Sequence, residues 1–426
     1  MNYEQTDMGA YQLHIIQTKK FKTVTVEVNF RREVKKEEIT IRNLLKSVML
    51  NTTKNFKTER ELIKETENLY DLKLISSNIR IGNQNNLSFK VRFLNEKYTE
   101  KSMNEYSIAF LAGILFEPDV SENQFKKEEV QKCKNKLEKS IQRLYDNKLK
   151  YALIKLLEST KDKPYSHNAY GDLDELEKIT PALLFEYYKS VLKDDYVDIF
   201  VVGDVESSEI KKIFKKYFKL NTFKKIKNNI LVEELLPRKR IKKIVEKDKA
   251  NQSQLTLLCS LNNLSEFERK YSILVYNEML GGSNNSLLFD TVREKKSYAY
   301  YVNSNQKAYD NTLMIYAGIE PNNSENVLKL IRKTMLNINK GIFEEQSLEN
   351  AKETIISSIK ASTDSPTGII NTYYAKILLN SEIFEKRIEN IKKITKDDIV
   401  NLSKKITMHT MYLLEGNSEE DTNEEN

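Results

Sequence analysis

The chain is poor in cysteine, in histidine and in long apolar runs, and each shortage excludes a class of protein. Its 426 residues include only two cysteines, Cys133 and Cys259, too few for the disulfide framework of a small secreted scaffold. The three histidines, His14, His167 and His409, stand more than a hundred residues apart. No apolar run approaches the roughly 20 residues that a membrane-spanning helix needs. We therefore expect no membrane span and assign no chemistry to the cysteines.

The charge distribution is typical of a solvated surface rather than of a nucleic-acid interface. The formal charge of +7 is a small excess of 69 basic over 62 acidic residues, spread along the whole chain. The densest basic stretch, residues 237–243, contains no aromatic residue on which a base could stack, which favours an exposed linker. The amino terminus lacks the cationic and apolar regions of a secretory signal. We expect a cytoplasmic protein without a nucleic-acid partner.

The two halves of the chain repeat four landmarks in one order, at offsets of a little over two hundred residues. Thr180 and Thr395 hold the same place in one of them, and threonine is a favoured residue for capping the start of a helix. Repetition in a fixed order indicates an internal duplication. The paired segments are 87–93 with 313–319, the helix starts near Phe125 and Phe343, 176–184 with 391–399, and 200–204 with 412–416.

Each half contains a strand, a helix, further strands, helices and a last strand, which predicts an α+β fold. In such a fold an antiparallel sheet is covered by helices on one face. The first strand of each half has the alternation of a half-buried strand. The apolar residues of this strand are Val24, Val26, Val28 and Phe30 in the first half, and Leu255, Leu257 and Cys259 in the second.

These patterns predict four parts. Residues 1–221 form an N-terminal lobe, and residues 251–416 form a homologous C-terminal lobe. Residues 222–250 are rich in Lys, Glu and Asn and have no apparent counterpart in the other half, so we interpret them as a linker. Residues 417–426 are acidic and lack apolar side chains, and we expect this tail to be disordered.

Short segments in both halves resemble the M16, or insulinase-like, metallopeptidases. The resemblance covers roughly residues 10 to 416 and implies a clamshell of two homologous lobes. In the first half it rests on 163–165, 169–171, 176–180 and 200–204. In the second half it rests on Gly281-Gly282-Ser283, on residues 288–295 and on Ala299-Tyr300, similar to the family's glycine-rich and Arg…Tyr segment.

Within that superfamily, two further segments resemble the non-catalytic member of bacterial pairs linked to aminopentanol modification of elongation factor P. Residues 55–58 are similar to that group's aromatic-Pro-Thr run, and residues 68–71 to its Leu-Tyr-Gly turn. Lys57 and Asp71 depart from the pattern. The finer placement depends on these two segments alone.

The zinc site of the active members is degenerate in this chain. Active members carry His-x-x-Glu-His on the first helix, where one helical turn puts both imidazoles on one face and the glutamate acts as general base. Alignment on residues 54–58 puts Asn43 and Ser47 at the histidine positions and Lys46 at the glutamate position. A third ligand would fall near Ser140. We therefore expect no metal, no other cofactor and no catalytic residue.

The second half keeps the Arg and Tyr that, in the family, reach towards the scissile peptide of the zinc-bearing lobe. Arg293 follows Leu288 and Val292 on an amphipathic stretch, and Tyr298, Tyr300 and Val302 then alternate as in a strand. The resemblance implies that Arg293 and Tyr300 bind peptide, and that Gly281 and Gly282 let a loop approach the substrate backbone. The plain alternatives are a surface ion pair with Glu294, a packed tyrosine and a turn between helices.

Two functions remain open at this point. The first is a non-catalytic subunit that pairs with a zinc-bearing M16 peptidase and contributes residues that bind a peptide or protein substrate. The second is a peptide- or protein-binding scaffold with no part in proteolysis. A neighbouring gene that encodes His-x-x-Glu-His would favour the first.

Overall fold

A computed structural model describes residues 1–100, 102–161, 163–220 and 230–417. By contact, the chain forms two compact units, each discontinuous in sequence. The first unit holds the described residues of 1–142, 168–229 and 364–374, and the second holds those of 143–167, 230–363 and 375–426. Each unit thus includes one segment from the other half of the sequence. The lobe boundaries at 221 and 251 stay a prediction about independent folding units.

The first half of the chain contains eight strands and eight α-helices in its described part. The strands are β1 (Asn2–Asp7), β2 (Gln12–Gln17), β3 (Thr23–Glu33), β4 (Lys73–Ile81), β5 (Gln84–Leu94), β6 (Val120–Ser121), β7 (Gln124–Phe125) and β8 (Tyr196–Gly203). The helices are α1 (Lys36–Val48), α2 (Glu59–Asn68), α3 (Met103–Phe116), α4 (Lys127–Asp146), α5 (Lys148–Glu158), α6 (Leu173–Lys178), α7 (Pro181–Asp194) and α8 (Ser207–Tyr217).

The second half contains five strands and six α-helices in its described part. The strands are β9 (Lys242–Lys247), β10 (Ser253–Leu261), β11 (Ala299–Lys307), β12 (Thr312–Ile319) and β13 (Ile406–Glu415). The helices are α9 (Ile273–Asn277), α10 (Ser324–Asn339), α11 (Glu345–Ser362), α12 (Pro366–Leu379), α13 (Phe384–Lys392) and α14 (Lys396–Ser403). Three π-helical stretches, Glu268–Ser272, Glu278–Gly282 and Phe289–Glu294, surround or follow α9.

The two large sheets have the same order of strands. In the first unit the order is β1-β2-β8-β3-β5-β4, and in the second it is β9-β13-β10-β12-β11. Each sheet has one parallel pair, β2 with β8 and β9 with β13, and antiparallel pairs elsewhere. From β2 and β9 onward the strands of the two large sheets therefore correspond one to one, and within the described residues β1 is the one strand of these sheets without a counterpart. The α+β fold and the duplication predicted from sequence are confirmed.

Part of the predicted linker is a strand, which corrects the sequence interpretation. Residues 242–247 form β9, the counterpart of β2, so the second half does repeat this element. Its sequence, Lys-Lys-Ile-Val-Glu-Lys, lacks a polar-apolar alternation, and the exposed residues of this sheet-edge strand are Lys243, Val245 and Lys247. The remainder of the linker prediction falls partly on residues 222–229, outside the described residues. From residue 418 onward, the tail predicted to be disordered also lies outside the described residues.

Strand β3, expected from sequence to be the first strand of its half, is the third, and it is buried on both faces rather than on one. Val24, Val26, Val28 and Phe30 pack in the apolar core as predicted. The opposite face is polar but is covered by residues 364–374, which include most of α12. There Tyr374 Oη donates to Asn86 Oδ1 at 2.9 Å. The buried side chains of this polar face of β3 are Thr25, Glu27, Asn29 and Arg31.

The second sheet is covered in a similar way by α5, on the face opposite its main core, through a smaller apolar cluster that includes Leu156 and Leu258. Tyr151 on α5 and Tyr412 on β13 each donate to the carboxylate of Glu246 on β9, at 2.7 and 2.6 Å. These two hydrogen bonds, that from Tyr412 first, hold the pKa of Glu246 below its usual value. In each unit, a helix from the other half of the sequence thus closes the second face of the sheet.

Helix capping follows the sequence expectation. Thr180 Oγ1 accepts from Leu183 N at the start of α7, and Thr395 forms a capping box with Asp398 at the start of α14. The helices expected near Phe125 and Phe343 begin at Lys127 and Glu345. Across the described part of the chain, every helix is too short or too polar to cross a membrane.

Candidate functional site

Helix α1, which carries the degenerate zinc-motif positions, is fixed by a buried ion pair. Arg42 on α1 is completely buried, and its Nη2 donates to Asp195 Oδ2 at 2.5 Å and to Phe30 O at 2.6 Å. Arg32 also binds Asp195 through its Nε. Because a buried charge is tolerated only when it is paired, these contacts determine the depth and rotation of α1.

The three degenerate positions have an amide, an ammonium and a hydroxyl group in place of zinc ligands and base. Asn43 is buried, and its Nδ2 donates to Ile39 O at 3.0 Å and to Ala169 O at 2.9 Å. Ser47 Oγ donates to Asn43 O at 3.3 Å. Lys46 is half-buried, and burial lowers the pKa of its ammonium. Zinc sites are built from imidazole, thiolate and carboxylate groups, so these three side chains do not fit the metal.

The helix that would supply a third ligand does not complete a metal site either. Ser140 on α4 donates to Lys136 O at 2.9 Å, within its own helix. Near the start of α4, Glu129 and Cys133 accept from Asn51 Nδ2 at 3.2 and 3.1 Å. Within the described residues, no group of three His, Cys, Asp or Glu side chains is arranged to hold a metal ion.

Both cysteines are buried thiols. Burial raises the pKa of Cys133 to about 11 and that of Cys259 to about 12. Because the thiolate is the reactive form, neither side chain is activated as a nucleophile near neutral pH. This agrees with the absence of any chemistry assigned to them from sequence.

A buried polar chain on the first sheet was not anticipated from sequence. His14 on β2 lies with its Nε2 3.2 Å from Asp198 Oδ1, and its Nδ1 is 2.9 Å from Tyr3 Oη. Asp198 on β8 also accepts from Arg31 at 3.5 Å. Burial, with Tyr373 and Asp198 nearby, raises the pKa of Tyr3 to about 12. His14 and Asp198 are 184 residues apart, so only the pairing of β2 with β8 could have revealed the contact.

Arg293 lies at the end of a π-helical stretch, with its charge exposed. Leu288 and Val292 are fully buried, as the amphipathic pattern predicts. The Arg293 guanidinium carbon lies 4.7 Å from the centre of the Phe289 ring. Its contact with Glu294, 3.9 Å between Nε and Oε1, is long, and both side chains are about half-exposed. A pair of this kind contributes little to stability, so the guanidinium remains available to a ligand.

Tyr300 is turned outward by a β-bulge. The pairing of β11 with β12 shifts register between Ala299 and Tyr301, so Tyr300 has no partner residue on β12. Its side chain is 61% exposed, whereas Val302 is buried. The regular alternation of Tyr298, Tyr300 and Val302 predicted from sequence is therefore wrong at Tyr300, because the bulge inserts a residue.

Gly281 and Gly282 both lie in close contact with neighbouring residues of the second unit. A Cβ atom on Gly281 would lie 2.9 Å from the backbone nitrogen of Ser304 on β11. One on Gly282 would lie 2.6 Å from a carboxylate oxygen of Glu278. Ser304 Oγ also donates to Asn277 O at 3.2 Å. Gly281 thus lets the end of the helix approach β11 closely.

The sequence profile of a family described as "Peptidase M16 inactive domain" matches residues 178–355. A protein of Bacillus subtilis (strain 168) named "Probable inactive metalloprotease YmfF" is 30% identical over 98% of both chains. The "Uncharacterized zinc protease YmxG" of the same strain is 28% identical over 67% of this chain and 68% of its own. A crystal structure of a conserved protein from Enterococcus faecalis V583 is 27% identical, covers 98% of this chain and 100% of its own, and superposes with a TM-score of 0.92.

Proposed function

The chain belongs to the M16 peptidase family, as the match to the M16 inactive-domain family and the similarity over its whole length to a probable inactive metalloprotease show. From this membership we propose a role as a non-catalytic subunit. In this role it pairs with a zinc-bearing M16 peptidase and contributes side chains that bind the peptide. The partner supplies the metal chemistry, because the side chains of Asn43, Lys46 and Ser47 are unsuited to it. The related zinc protease, YmxG, exemplifies the class of partner.

The observation that carries the proposal is the β-bulge in β11. It exposes Tyr300, whereas the next residue, Tyr301, is held in place. Tyr301 Oη donates to Gln254 Oε1, and its ring lies against Gly318, where a Cβ atom would come within 2.4 Å. Tyr300, in contrast, points away from the sheet and is 61% exposed. Bulges next to functional sites commonly re-aim a side chain. The geometry favours a Tyr300 hydroxyl that is presented to a ligand.

Arg293 lies in a tight turn, residues 292–298, that leads into β11 and so to Tyr300. Ser297 N donates to Arg293 O at 2.9 Å, and Tyr298 N donates to Val292 O at 3.1 Å. Ser297 itself has a left-handed backbone, with φ of 53°. The turn holds the guanidinium-bearing stretch against the start of β11. Both exposed side chains, Arg293 and Tyr300, therefore belong to one local structure.

The edge of β11 offers a place for the peptide backbone. In the described residues β11 pairs with β12 alone and forms one margin of its sheet. An edge strand presents unpaired N–H and C=O groups that an extended peptide can bind. Arginine offers a planar fork of donors for a carboxylate or carbonyl, and a tyrosine hydroxyl can donate to an oxyanion. These groups would orient a peptide for cleavage by the partner.

The test is reconstitution with a family member that carries His-x-x-Glu-His. The two proteins are co-expressed, isolated as a complex and assayed with a fluorogenic peptide, next to each protein alone. We expect hydrolysis by the complex and at most weak hydrolysis by either chain alone. A complex in which the partner's motif glutamate is replaced by glutamine controls for contaminating peptidases. Equal rates for the partner alone and for the complex would contradict the proposal.

We extend the proposal to the finer placement within the family and to the compartment. The protein would be cytoplasmic and belong to the group linked to aminopentanol modification of elongation factor P. Tyr70 and Asp71 both have left-handed backbones, with φ of 57° and 58°, which supports a turn where that group has glycine. Lys57, in the place of the group's proline, binds Asp119 through its Nζ at 2.7 Å. Co-purification followed by mass spectrometry would identify the partner.

A further inference from the structure

The outer edge of β9 is open, whereas the corresponding edge of the first sheet is covered by a strand. In the first unit β1 pairs antiparallel with β2, and β2 pairs parallel with β8. In the second unit β9 pairs parallel with β13 and, within the described residues, with no other strand. Since β9 is the counterpart of β2, the duplication indicates that an antiparallel strand fits along the free edge of β9.

Strand β1 shows what kind of segment this position accepts in the first sheet. Its sequence, Asn-Tyr-Glu-Gln-Thr-Asp, contains no aliphatic residue. Asn2 Nδ2 donates to Gln17 Oε1 at 3.0 Å, and Gln5 Nε2 donates to Gln12 Oε1 at 3.1 Å. Polar pairs across two strands add to the stability of a sheet. A polar segment can therefore be held at this edge by backbone pairing and side-chain contacts together.

The exposed side chains of β9 determine the charge that such a segment should carry. Lys243, Val245 and Lys247 are exposed, and residues two apart on a strand share a face. Lys247 forms no ion pair or hydrogen bond with any described residue. Lys243 pairs with Glu325 at 3.0 Å, but both side chains are about half-exposed or more, and such a pair contributes little to stability. Carboxylates opposite Lys243 and Lys247 would therefore be favoured.

The apolar residue between the two lysines adds a second requirement. Val245 is 54% exposed, whereas Ile244 packs on the α5 side of the sheet and Glu246 accepts from Tyr151 of α5. Residues directly opposite each other in an antiparallel pair are in contact. An apolar side chain opposite Val245 would remove apolar surface from water. The matching segment thus has one apolar residue, with an acidic residue two positions before it and two positions after it.

We propose that the free edge of β9 binds an extended acidic segment of a partner protein, which joins the second sheet as an antiparallel strand. Its two acidic residues lie opposite Lys247 and Lys243, and its apolar residue lies opposite Val245. The unpaired backbone groups of an edge strand provide affinity, and the side chains provide specificity. The site uses neither Arg293 nor Tyr300, so it is independent of the proposed role in peptide hydrolysis.

The test measures binding of short peptides to the full-length protein by fluorescence anisotropy. The probe is fluorescein-labelled Thr-Glu-Thr-Val-Thr-Glu-Thr, and the charge-reversed peptide has lysine in place of both glutamates. We expect the acidic peptide to bind about fivefold tighter or more, since opposite charges across two strands attract and like charges repel.

Backbone methylation distinguishes an added strand from attraction by charge alone. Two versions of the acidic peptide carry N-methyl groups, one on Glu, Val and Glu, the other on the two Thr residues between them. Successive N–H groups of a strand point to opposite sides, so one version should lose binding and the other should keep it. In the same complex, the amides of residues 243–247 should exchange hydrogen more slowly than in the free protein.

Replacement of both lysines tests the site on the protein. Lys243→Gln/Lys247→Gln should weaken binding of the acidic peptide about threefold or more, in the range of two exposed ion pairs. The charge-matched control is Lys360→Gln/Lys393→Gln, at two exposed lysines of the second unit. Its affinity for the acidic peptide should equal that of the wild type.

Several outcomes would overturn the proposal. They are no binding of the acidic peptide, equal affinity for the acidic and lysine peptides, equal effects of the two methylation patterns, and equal weakening by the control substitutions. A variant that ends at Asn417 provides a further check, because residues 418–426 are acidic although they contain no apolar residue. This variant should bind as the wild type. A gain of about tenfold or more, as expected when a tethered competitor is removed, would assign the edge to the chain's own acidic segment instead.

Discussion

Arg42 on α1 and Asp195, the residue before β8, form an ion pair from which water is fully excluded. Asp195 also binds Arg32, which in turn pairs with Glu38 at 3.1 Å, so two carboxylates balance the two guanidinium groups. Burial disfavours the charged form of both arginines, while the adjacent Asp195 carboxylate raises their pKa. The pair connects the helix with the degenerate zinc positions to the sheet beneath it.

Loss of this carboxylate should therefore destabilise the first unit. We expect Asp195→Asn to lower the free energy of unfolding by about 3–5 kcal/mol, because breaking a buried pair leaves an uncompensated charge. Urea denaturation followed by circular dichroism measures the change. Asp71→Asn is the matched control: Asp71 is exposed and pairs with Lys73, and asparagine tolerates its left-handed backbone. A loss below about 1 kcal/mol at Asp195, in the range of exposed pairs, would show that the pair does not hold α1.

Acid should destabilise the protein through His409. Burial, with the positive charges of Arg238 and Lys242 nearby, lowers the pKa of His409 to about 4. The unfolded chain binds this proton near pH 6.5, whereas the folded chain does not. Stability should therefore fall as the pH drops from about 6.5 towards 4. Thermal unfolding across this range should show a shallower decline in His409→Gln, and an identical decline would exclude His409 as the cause.

Residues 237–240 should be an early site of tryptic cleavage. They are exposed, and they precede β9, whose backbone is paired with β13. Proteases cut exposed, unpaired backbone first, so we expect cleavage after Arg238, Lys239 or Arg240 rather than within 242–247. Mass spectrometry of the earliest fragments identifies the site. First cuts inside β3 or β10 would contradict the assignment of these strands to the cores of the two units.

The purified protein should contain no stoichiometric zinc. The three motif positions carry Asn43, Lys46 and Ser47, and none of these side chains matches the imidazole and carboxylate ligands of family zinc sites. Elemental analysis after dialysis against a zinc-containing buffer measures the content directly. A protein with an intact His-x-x-Glu-His motif, treated in parallel, shows that the procedure retains zinc. About one tightly bound zinc per chain would refute the prediction.

The sequence predicted best those features that depend on side-chain type alone, such as which residues of a strand are buried and where a helix begins. The apolar alternation in β3 and the threonine caps of α7 and α14 follow from local chemistry, so they could be predicted. The strand β9 could not, because a sheet-edge strand with two lysines facing water and no apolar alternation resembles a linker. The same limit applied to Tyr300: a bulge depends on how β11 pairs with β12, which no single segment reveals. The His14–Asp198 contact likewise needs two strands from distant parts of the chain.

Arg293 and Tyr300 provide the sharpest distinction between a peptidase subunit and a scaffold. In the reconstituted complex, Arg293→Ala should leave folding and association intact and lower the rate of peptide hydrolysis. Loss of a preorganised donor at an oxyanion costs on the order of 10²–10³ in rate, and we expect Tyr300→Phe to lower the rate in the same direction. Both side chains are exposed, so their removal should scarcely change the free energy of unfolding.

The matched control is Arg332→Ala, which removes an exposed arginine on α10 from the same unit. Its kcat and KM should equal those of the wild-type complex. The effect of Tyr300→Phe should appear in kcat, because the phenyl ring keeps the packing and only the hydroxyl is lost; a change in KM alone would indicate a role in binding without transition-state stabilisation. Unchanged hydrolysis in both Arg293→Ala and Tyr300→Phe would reject the subunit function and leave the scaffold.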